Sequence, residues 1–432
     1  MLTQVGQVSV NLIDNIIVGK LLGAKALASV SLGNAVFFSI FILAMGFSFA
    51  IPPLVSEAHS QKNDEKINSV FRHGFVINMS IGIFLMILLL LGLPLLYKMD
   101  QPQDIIPDTS KFLFIMAFSM IPFMAFQTLR EVSEGLGFTI GVTKATIIAN
   151  VINIILNYTF IKGLFGFPQM GVQGSALATL IARICMLGLL YFVLLKEKKT
   201  RKYIREFSLK IKGFSEKMFK TMLKLGFPTA LQMFFEITAF SVAAFICGLV
   251  SAKDIASHQI ALSMASFTFN FCIGFSVAST VMIGRKLGER NFTELRKAGI
   301  NNLKIAFLFM AMCGLILIFG RDFFPAVFTK KEDADVIALA SKLLIIAALF
   351  QLSDGIQVTA LGALRGLQDV KIPSIITFIA YWLITIPFGY LLCVTFKMGA
   401  FGMWIALGSG LTISAILLVR RFLKISEKSG IR

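Results

Sequence analysis

Residues 75–97 read FVINMSIGIFLMILLLLGLPLLY and contain no charged side chain. About 20 mostly apolar residues are enough for a helix to cross the hydrocarbon of a bilayer. A membrane β-strand would instead alternate between apolar and polar residues over about ten positions. Because this run is longer and continuous, it predicts a membrane-spanning helix.

The same pattern recurs along the chain and predicts an all-α integral membrane protein with about twelve spans. We expect the spans at 2–20, 29–54, 75–97, 111–130, 145–165, 173–195, 226–249, 255–283, 303–325, 337–361, 373–395 and 400–422. The composition agrees, because 56% of the 432 residues are hydrophobic and 15% are charged. A typical soluble domain has about 25% charged residues, so the expected surroundings are a lipid bilayer.

The net charge of +18 comes from bases that lie mainly between the spans. If the N-terminus is placed inside, the inside segments carry 29 of the 41 Lys and Arg residues. Because bases mark cytoplasmic loops, both termini are predicted to be cytoplasmic in a multi-pass protein of the cell inner membrane. The stretch 198–224 is predicted to be a basic cytoplasmic linker that also touches anionic lipid, and nucleic acid is not expected as a partner.

An internal repeat divides the chain into two halves. LLGAKALASVSLG (21–33) returns as LVSAKDIASHQIA (249–261), and MGVQGSALA (170–178) as MGAFGMWIA (398–406), both at an offset of 228 (249 − 21 and 398 − 170). Six spans per half is an even number, so the halves are expected to run parallel. The sequence therefore predicts an N-terminal lobe at 1–197 and a C-terminal lobe at 225–432.

The two halves differ at the start. The lead-in LKLGFP of the seventh span, residues 223–228, has no counterpart before the first span. We therefore expect either a short first span or a start site that lies further upstream.

Several functional classes find no support in the sequence. The five cysteines lie inside apolar stretches without a CxxC pair, and the three histidines are scattered, so neither a disulfide framework nor a metal cluster is expected. A GxxxxGK[ST] phosphate loop is absent, which argues against an ATP-driven pump. We expect no enzyme activity and no cofactor.

Three carboxylates lie inside predicted spans, at Asp14, Glu236 and Asp354. Each costs roughly 2.5–3.5 kcal/mol on insertion scales, so each should face the protein interior or a water-filled cavity. An acid in such a place can accept a proton or bind a metal cation, and both are ways to couple transport to an ion. The alternative is that the acids pair with buried bases, for which the candidates are Arg183, Arg130 and Arg365. At the offset of 228, Asp14, Glu236 and Asp354 correspond in the other half to the apolar residues Val242, Val8 and Phe126. The acids are therefore not duplicated.

Neutral polar side chains and one phenyl group are placed to line the same sites. Asn153 and Asn157 are four residues apart and share a helical face, where they can bond to an acid or merely to a neighbouring helix. The remaining candidates lie within six residues of Glu236 or Asp354, and they are Gln232, Phe240, Gln351 and Gln357. A phenyl ring can contact a cation through its face, although most of the 43 Phe residues are expected to face lipid or core.

Four segments together resemble the multidrug and toxic compound extrusion (MATE) family, in its NorM-like branch. They are DNIIVGKLLGAKALASVSLG (14–33), INIILNYTFIKG (152–163), LQMFFEITAF (231–240) and QLSDGIQVTALGALRGLQD (351–369). The resemblance covers nearly the whole chain. It implies twelve helices in two six-helix lobes around a V-shaped central cleft, and a monomer that exports organic, often cationic, drug-like compounds in exchange for Na+ or H+.

The resemblance also implies roles for individual residues. Glu236 and Asp354 match the cation site of the C-terminal lobe, where Na+ could bind, and Phe240 lies where a relative places a phenyl ring against the cation. Asp14 matches the acid of the N-terminal lobe that is linked to proton coupling, with Asn153 and Asn157 near it. Position 157 is Asn where another branch carries an acid, which favours the NorM-like assignment and weakens a purely N-lobe proton mechanism.

Two other functions stay open. A lipid-linked oligosaccharide flippase of the same superfamily should have more cationic residues around its cavity, whereas the internal charges here are mainly acidic. A membrane-embedded enzyme or scaffold is the second alternative, and an enzyme would need a catalytic cluster that the sequence does not contain.

Overall fold

The computed structural model describes residues 14, 17–98, 102–207, 214–328 and 334–428. Within these ranges the protein is all-α and contains no strand. The first predicted span, 2–20, lies mostly outside the described residues. The chain divides into two compact units, Leu2–Ala230 and Leu231–Arg432. The predicted lobe boundaries lie close to this division but stay a prediction.

Eight α-helices with described bounds lie in the first unit before the connection to the second, besides the 3-10 helix Leu93–Lys98. They are α1 (Ala24–Ser48), α2 (Ile51–Ser60), α3 (Asp64–Gly92), α4 (Ile106–Phe118), α5 (Met120–Gly135), α6 (Ile140–Lys162), α7 (Gly171–Lys196) and α8 (Lys198–Arg205). Helix α1 packs against α3, α4 and α5, while α7 packs against α4, α5 and α6.

The remaining helices begin with α9, which carries the chain into the second unit. They are α9 (Glu216–Val250), α10 (Ala252–Gly288), α11 (Phe292–Phe319), α12 (Phe323–Phe328), α13 (Ala334–Gly366), α14 (Lys371–Phe378), α15 (Ile386–Tyr390) and α16 (Gly399–Lys428). Two π-helical segments, Ile379–Thr385 and Leu391–Thr395, interrupt the span that begins with α14. Helix α13 packs against α10, α11 and α16 and is central to this unit.

Ten helical stretches in the described residues are long and apolar enough to cross a membrane. The bent pair α4 and α5, which meet at 41°, forms an eleventh. Together the eleven correspond to the predicted spans from 29–54 to 400–422, so the all-α membrane fold is confirmed. Helices suit these segments because each backbone N–H finds its acceptor within the helix and none must face lipid unpaired.

The internal repeat is present in the backbone as well as in the residues. Lys62 and Arg290 are related by the same offset of 228 (290 − 62), and each adopts a left-handed conformation with φ 55°. The next residue in each case, Asn63 or Asn291, caps a helix by accepting a hydrogen bond from a backbone N–H, at 2.9 Å from Lys66 and 3.1 Å from Glu294. A conformation that is unusual for a residue with a Cβ thus recurs at equivalent positions in both units.

The repeat has a different register around the tenth predicted span. Gly137 and Gln368 end α5 and α13 with the same pair of backbone hydrogen bonds and both have positive φ, at 78° and 60°. Their offset is 231 (368 − 137), three more than elsewhere. At this offset Asp354 corresponds to Phe123, three residues before the Phe126 that the offset of 228 indicates. The acid is still not duplicated.

Candidate functional site

Two of the predicted acids lie together inside the second unit. Glu236 and Asp354 both lie in the C-terminal halves of their helices, α9 and α13, and their exposed fractions are 8% and 4%. The two carboxyl groups are close enough to interact electrostatically. Arg365, in the last turn of α13, also interacts electrostatically with Glu236. One of the bases proposed from the sequence therefore lies near the pair.

Neutral oxygen and nitrogen groups surround Glu236. The Gln357 side chain donates a hydrogen bond of 3.4 Å to Glu236 Oε1. The Tyr381 hydroxyl lies 3.4 Å from the same carboxylate oxygen and 3.1 Å from Gln357 Oε1. Since the hydroxyl has one hydrogen, it donates to only one of the two at a time.

Tyr381 is a site residue that sequence reasoning missed. It lies in the π-helical segment Ile379–Thr385, six residues before Pro387, and its side chain is fully buried. Proline lacks a backbone N–H and disturbs the helix before it, and π-helical turns are frequent at functional sites. A proline inside a predicted span was the available signal, but it does not identify which side chain the distortion redirects.

The other predicted side chains of this unit occupy different surroundings. Gln232 lies one helical turn before Glu236, close enough for its side chain to interact with the carboxylate. The ring of Phe240 contacts Tyr381 at 5.9 Å and Phe350 at 6.2 Å between centroids, so it borders the site within an aromatic cluster. Gln351 is fully buried, and neither its amide nitrogen nor its oxygen has a partner among the described residues. The structure therefore groups Gln232, Gln357 and Phe240 with Glu236 but gives Gln351 no bond to it.

This arrangement favours a proton or a hard cation over a transition metal. In a low-dielectric interior, two neighbouring carboxylates are costly to keep ionised together unless a proton or a cation compensates them. The uncharged groups that contact Glu236 offer a cation oxygen atoms, from Gln357 and Tyr381, and hard cations prefer oxygen, while the buried Cys272 thiol lies near Asp354. Within the described ranges, no three His, Cys, Asp or Glu side chains are grouped to hold a metal ion.

The third acid, Asp14, lies in the first unit with both predicted asparagines. The amide of Asn157 donates a hydrogen bond of 2.7 Å to Asp14 Oδ1 and lies 3.3 Å from Asn153 Oδ1. Asn153 in turn donates to Thr179 Oγ1 on α7 at 3.4 Å. The shared face predicted for the two asparagines is therefore the face that meets the acid.

Two of the buried bases proposed from the sequence also lie in this unit. Arg183 on α7 interacts electrostatically with Asp14 and donates from Nη1 to Ser119 Oγ at 2.6 Å. Arg130 forms a buried ion pair of 2.8 Å with Glu134, one turn along α5. For Asp14, the half-buried base Arg183 is thus a neighbour in addition to the asparagines.

Comparison with known proteins agrees with this architecture. The MatE family model matches residues 1–159 and 228–391. The starts of the two matches are offset by 227 (228 − 1), close to the offset of the repeat.

Similar sequences extend over almost the full length. "Multidrug resistance protein NorM" of Photobacterium profundum is 32% identical over 98% of this chain and 92% of its own length. "Multidrug resistance protein MdtK" of Yersinia pseudotuberculosis is 30% identical over the same shares.

Solved structures match the fold at 20% sequence identity. The eukaryotic MATE transporter AtDTX14 superposes with a TM-score of 0.88 over 100% of this chain and 96% of that one. A multidrug resistance MATE transporter in an outward-facing conformation superposes with a TM-score of 0.89 over 99% of this chain and 94% of that one. The family match over both halves, together with relatives of 30–32% identity, shows that this chain belongs to the MATE family, in its NorM-like branch.

Proposed function

We propose that this protein is a secondary active antiporter, not an enzyme, that exports organic cations in exchange for Na+ or H+. The observation that carries the proposal is the buried pair Glu236 and Asp354, with Arg365 in electrostatic contact with Glu236. Two acids beside one base leave an acidic surplus that attracts cations. The multidrug names of the relatives are consistent with drug-like cargo.

The coupling ion binds at Glu236 and Asp354 in this proposal, with Gln357 and Tyr381 supplying further oxygen atoms. Export requires that the ion and the drug prefer different states of the transporter, because a ligand shifts a conformational equilibrium only through its differential affinity. Asp14, Asn153 and Asn157 form a second polar site that contributes to proton coupling. No cofactor besides the coupling ion takes part.

The protein functions as a monomer in the cell inner membrane, with both termini in the cytoplasm. The excess of Lys and Arg on one side of the predicted topology supports this orientation.

The experiment is ethidium efflux from proteoliposomes under separately imposed Na+ and H+ gradients. The variants Glu236→Gln and Asp354→Asn should lose most gradient-driven efflux, whereas Glu65→Gln, which alters an exposed acid in the first turn of α3, should keep it. Normal efflux by both site variants, at equal expression, would overturn the site assignment. Translocation of a lipid-linked oligosaccharide without ethidium export would instead favour the flippase.

A further inference from the structure

Arg183 is a base inside the apolar span of α7, and its guanidinium is enclosed by phenyl rings. Its central carbon lies 5.0 Å from the ring centroid of Phe37, 5.8 Å from Phe41 and 5.0 Å from Phe123. All three distances are within the range of an attractive cation–π contact. The rings that a bound organic cation would seek are therefore already occupied by a cation of the protein.

The hydrogen bonds of Arg183 leave capacity for a ligand. A guanidinium has five N–H donors, and among the described residues Arg183 uses one of them, from Nη1 to Ser119 Oγ. The side chain is only partly buried. Planar guanidinium groups bind carboxylates through two parallel hydrogen bonds, which makes Arg the preferred partner for that group.

The repeat indicates that the scaffold does not need a base at this position. Gly171 and Gly399 open α7 and α16 with the same left-handed conformation, again at an offset of 228 (399 − 171). At this offset Arg183 corresponds to Leu411, which is fully buried in the hydrophobic core of the second unit. Its electrostatic partner Asp14 corresponds to Val242. Both members of the charged pair thus stand where the other unit uses an apolar side chain.

We propose that Arg183 determines which substrates the first unit accepts. It acts as a tethered cation that neutralises Asp14 and occupies the three phenyl rings. As a result this unit favours compounds that carry a carboxylate beside their cationic group over plain monocations. The inference rests on the proposed export of organic cations and adds a charge requirement to it.

Two dyes that differ in one group test the inference. Rhodamine 110 carries a free carboxylate, whereas rhodamine 123 is its methyl ester and a plain cation. Their dissociation constants would be measured by fluorescence polarisation on the purified full-length protein. The variants are Arg183→Gln, Arg183→Leu, which introduces the residue of the other unit, and Arg183→Lys. Arg420→Gln, at an exposed position of α16, is the matched control for the loss of one positive charge.

The wild type should bind rhodamine 110 more tightly than rhodamine 123. Removing the charge in Arg183→Gln or Arg183→Leu should lower the dissociation constant of rhodamine 123 about tenfold and raise that of rhodamine 110 about tenfold. Charge interactions over a few ångströms inside a protein are strong enough for changes of this size. Arg183→Lys and Arg420→Gln should keep the wild-type preference. The tighter binding of rhodamine 123 should disappear when Asp14→Asn is combined with Arg183→Gln, because it arises from the Asp14 carboxylate that Arg183 no longer neutralises.

An unchanged ratio of the two dissociation constants in both neutral variants would overturn the inference. Equal weakening of both dyes would overturn it too, since that result indicates a purely structural arginine. If one neutral variant does not fold, the other decides the question. Ethidium efflux by the wild type, measured in parallel, tests the proposed function separately. Efflux with an unchanged dye ratio would support the proposed function and overturn the charge requirement. Absence of efflux would overturn the proposed function, and the ratio of the two dissociation constants would still test the role of Arg183.

Discussion

The side-chain amide of Asn157 donates a hydrogen bond of 2.7 Å to Oδ1 of Asp14, a residue 143 positions earlier in the chain. Both side chains are buried, with exposed fractions of 0% and 7%. A buried donor to a carboxylate contributes more than an ordinary hydrogen bond, because its loss leaves the acid under-solvated. The bond therefore connects the first predicted span to α6.

Replacing the donor should destabilise the protein. We expect Asn157→Leu to lower the free energy of unfolding by about 1.5–3 kcal/mol, measured by denaturant titration in one detergent. In an Asp14→Asn background the same change should cost clearly less, since the charged acceptor has gone. Equal costs in the two backgrounds would mean that the hydrogen bond does not stabilise the fold.

Tyr381→Phe should weaken binding of the coupling ion without unfolding the protein. The change removes the hydroxyl that lies 3.1 Å from Gln357 and 3.4 Å from Glu236 and keeps the ring against Phe240. Loss of one hydrogen bond of about 1 kcal/mol corresponds to roughly a fivefold higher ion concentration for half-maximal efflux.

The matched variant is Phe240→Leu, which removes the ring and keeps the hydroxyl. It should affect drug affinity more than the ion dependence. If the two variants shift the ion concentration for half-maximal efflux equally, the hydroxyl is not an ion ligand.

Much of the fold follows from local patterns in the sequence. Uncharged runs such as 75–97 identify spans because the cost of charge in lipid acts on each segment separately. The pairing of Asp14 with Asn157 also has a local signal, since Asn153 and Asn157 share one helical face. The register of the tenth span does not follow from the offset of 228 that the other segments share, and the turn conformations at Gly137 and Gln368 reveal a shift of three residues.

The remaining features of the sites depend on packing between helices. The position of Tyr381 results from a π-helical segment, which no periodicity in the residues indicates. Gln351 and Gln357 are three residues before and after Asp354, on opposite sides of it around the helix. Of the two, only Gln357 reaches Glu236. The packing of the neighbouring helices decides which side of α13 faces α9.

Helix α8 is held against the start of α3 by a contact that should weaken at alkaline pH. Lys202 Nζ donates to Asp64 at 2.5 Å and the Tyr203 hydroxyl donates to the same carboxylate at 2.6 Å. The bond to Asp64 raises the pKa of Lys202. Burial, followed by the bond to Asp64, raises the pKa of Tyr203 to about 12.

The raised pKa values of Lys202 and Tyr203 change the stability in the same direction as the pH rises. The contribution of each group to stability is complete below its ordinary pKa, near 10 for Tyr and near 10.4 for Lys, and is lost as the pH rises through the folded-state value. The absorbance at 295 nm of the wild type minus that of Tyr203→Phe should therefore show tyrosinate forming near pH 12. In an Asp64→Asn background the same difference should move to lower pH, and an unchanged midpoint would show that Asp64 does not act on Tyr203.

Gly362 lets α13 and α10 approach closely in the second unit. A Cβ at this position would overlap the backbone oxygen of Ser276 and lie 2.6 Å from its Oγ. Thr280, which lies on α10 with Ser276, donates a hydrogen bond of 2.8 Å to the Gly362 carbonyl. Small residues allow such contacts between membrane helices.

Gly362→Ala should therefore destabilise the protein by about 1–3 kcal/mol, the usual cost of overpacking, through separation of α13 from α10. Gly408→Ala is the matched control, because a Cβ on Gly408 in α16 meets no atom within 4 Å. There the higher helix propensity of Ala should stabilise the protein by up to about 1 kcal/mol. Thermal unfolding in one detergent compares the two variants. Because α13 carries Asp354, Gly362→Ala should also reduce ion-driven efflux, whereas a variant as stable and as active as Gly408→Ala would contradict the close helix contact.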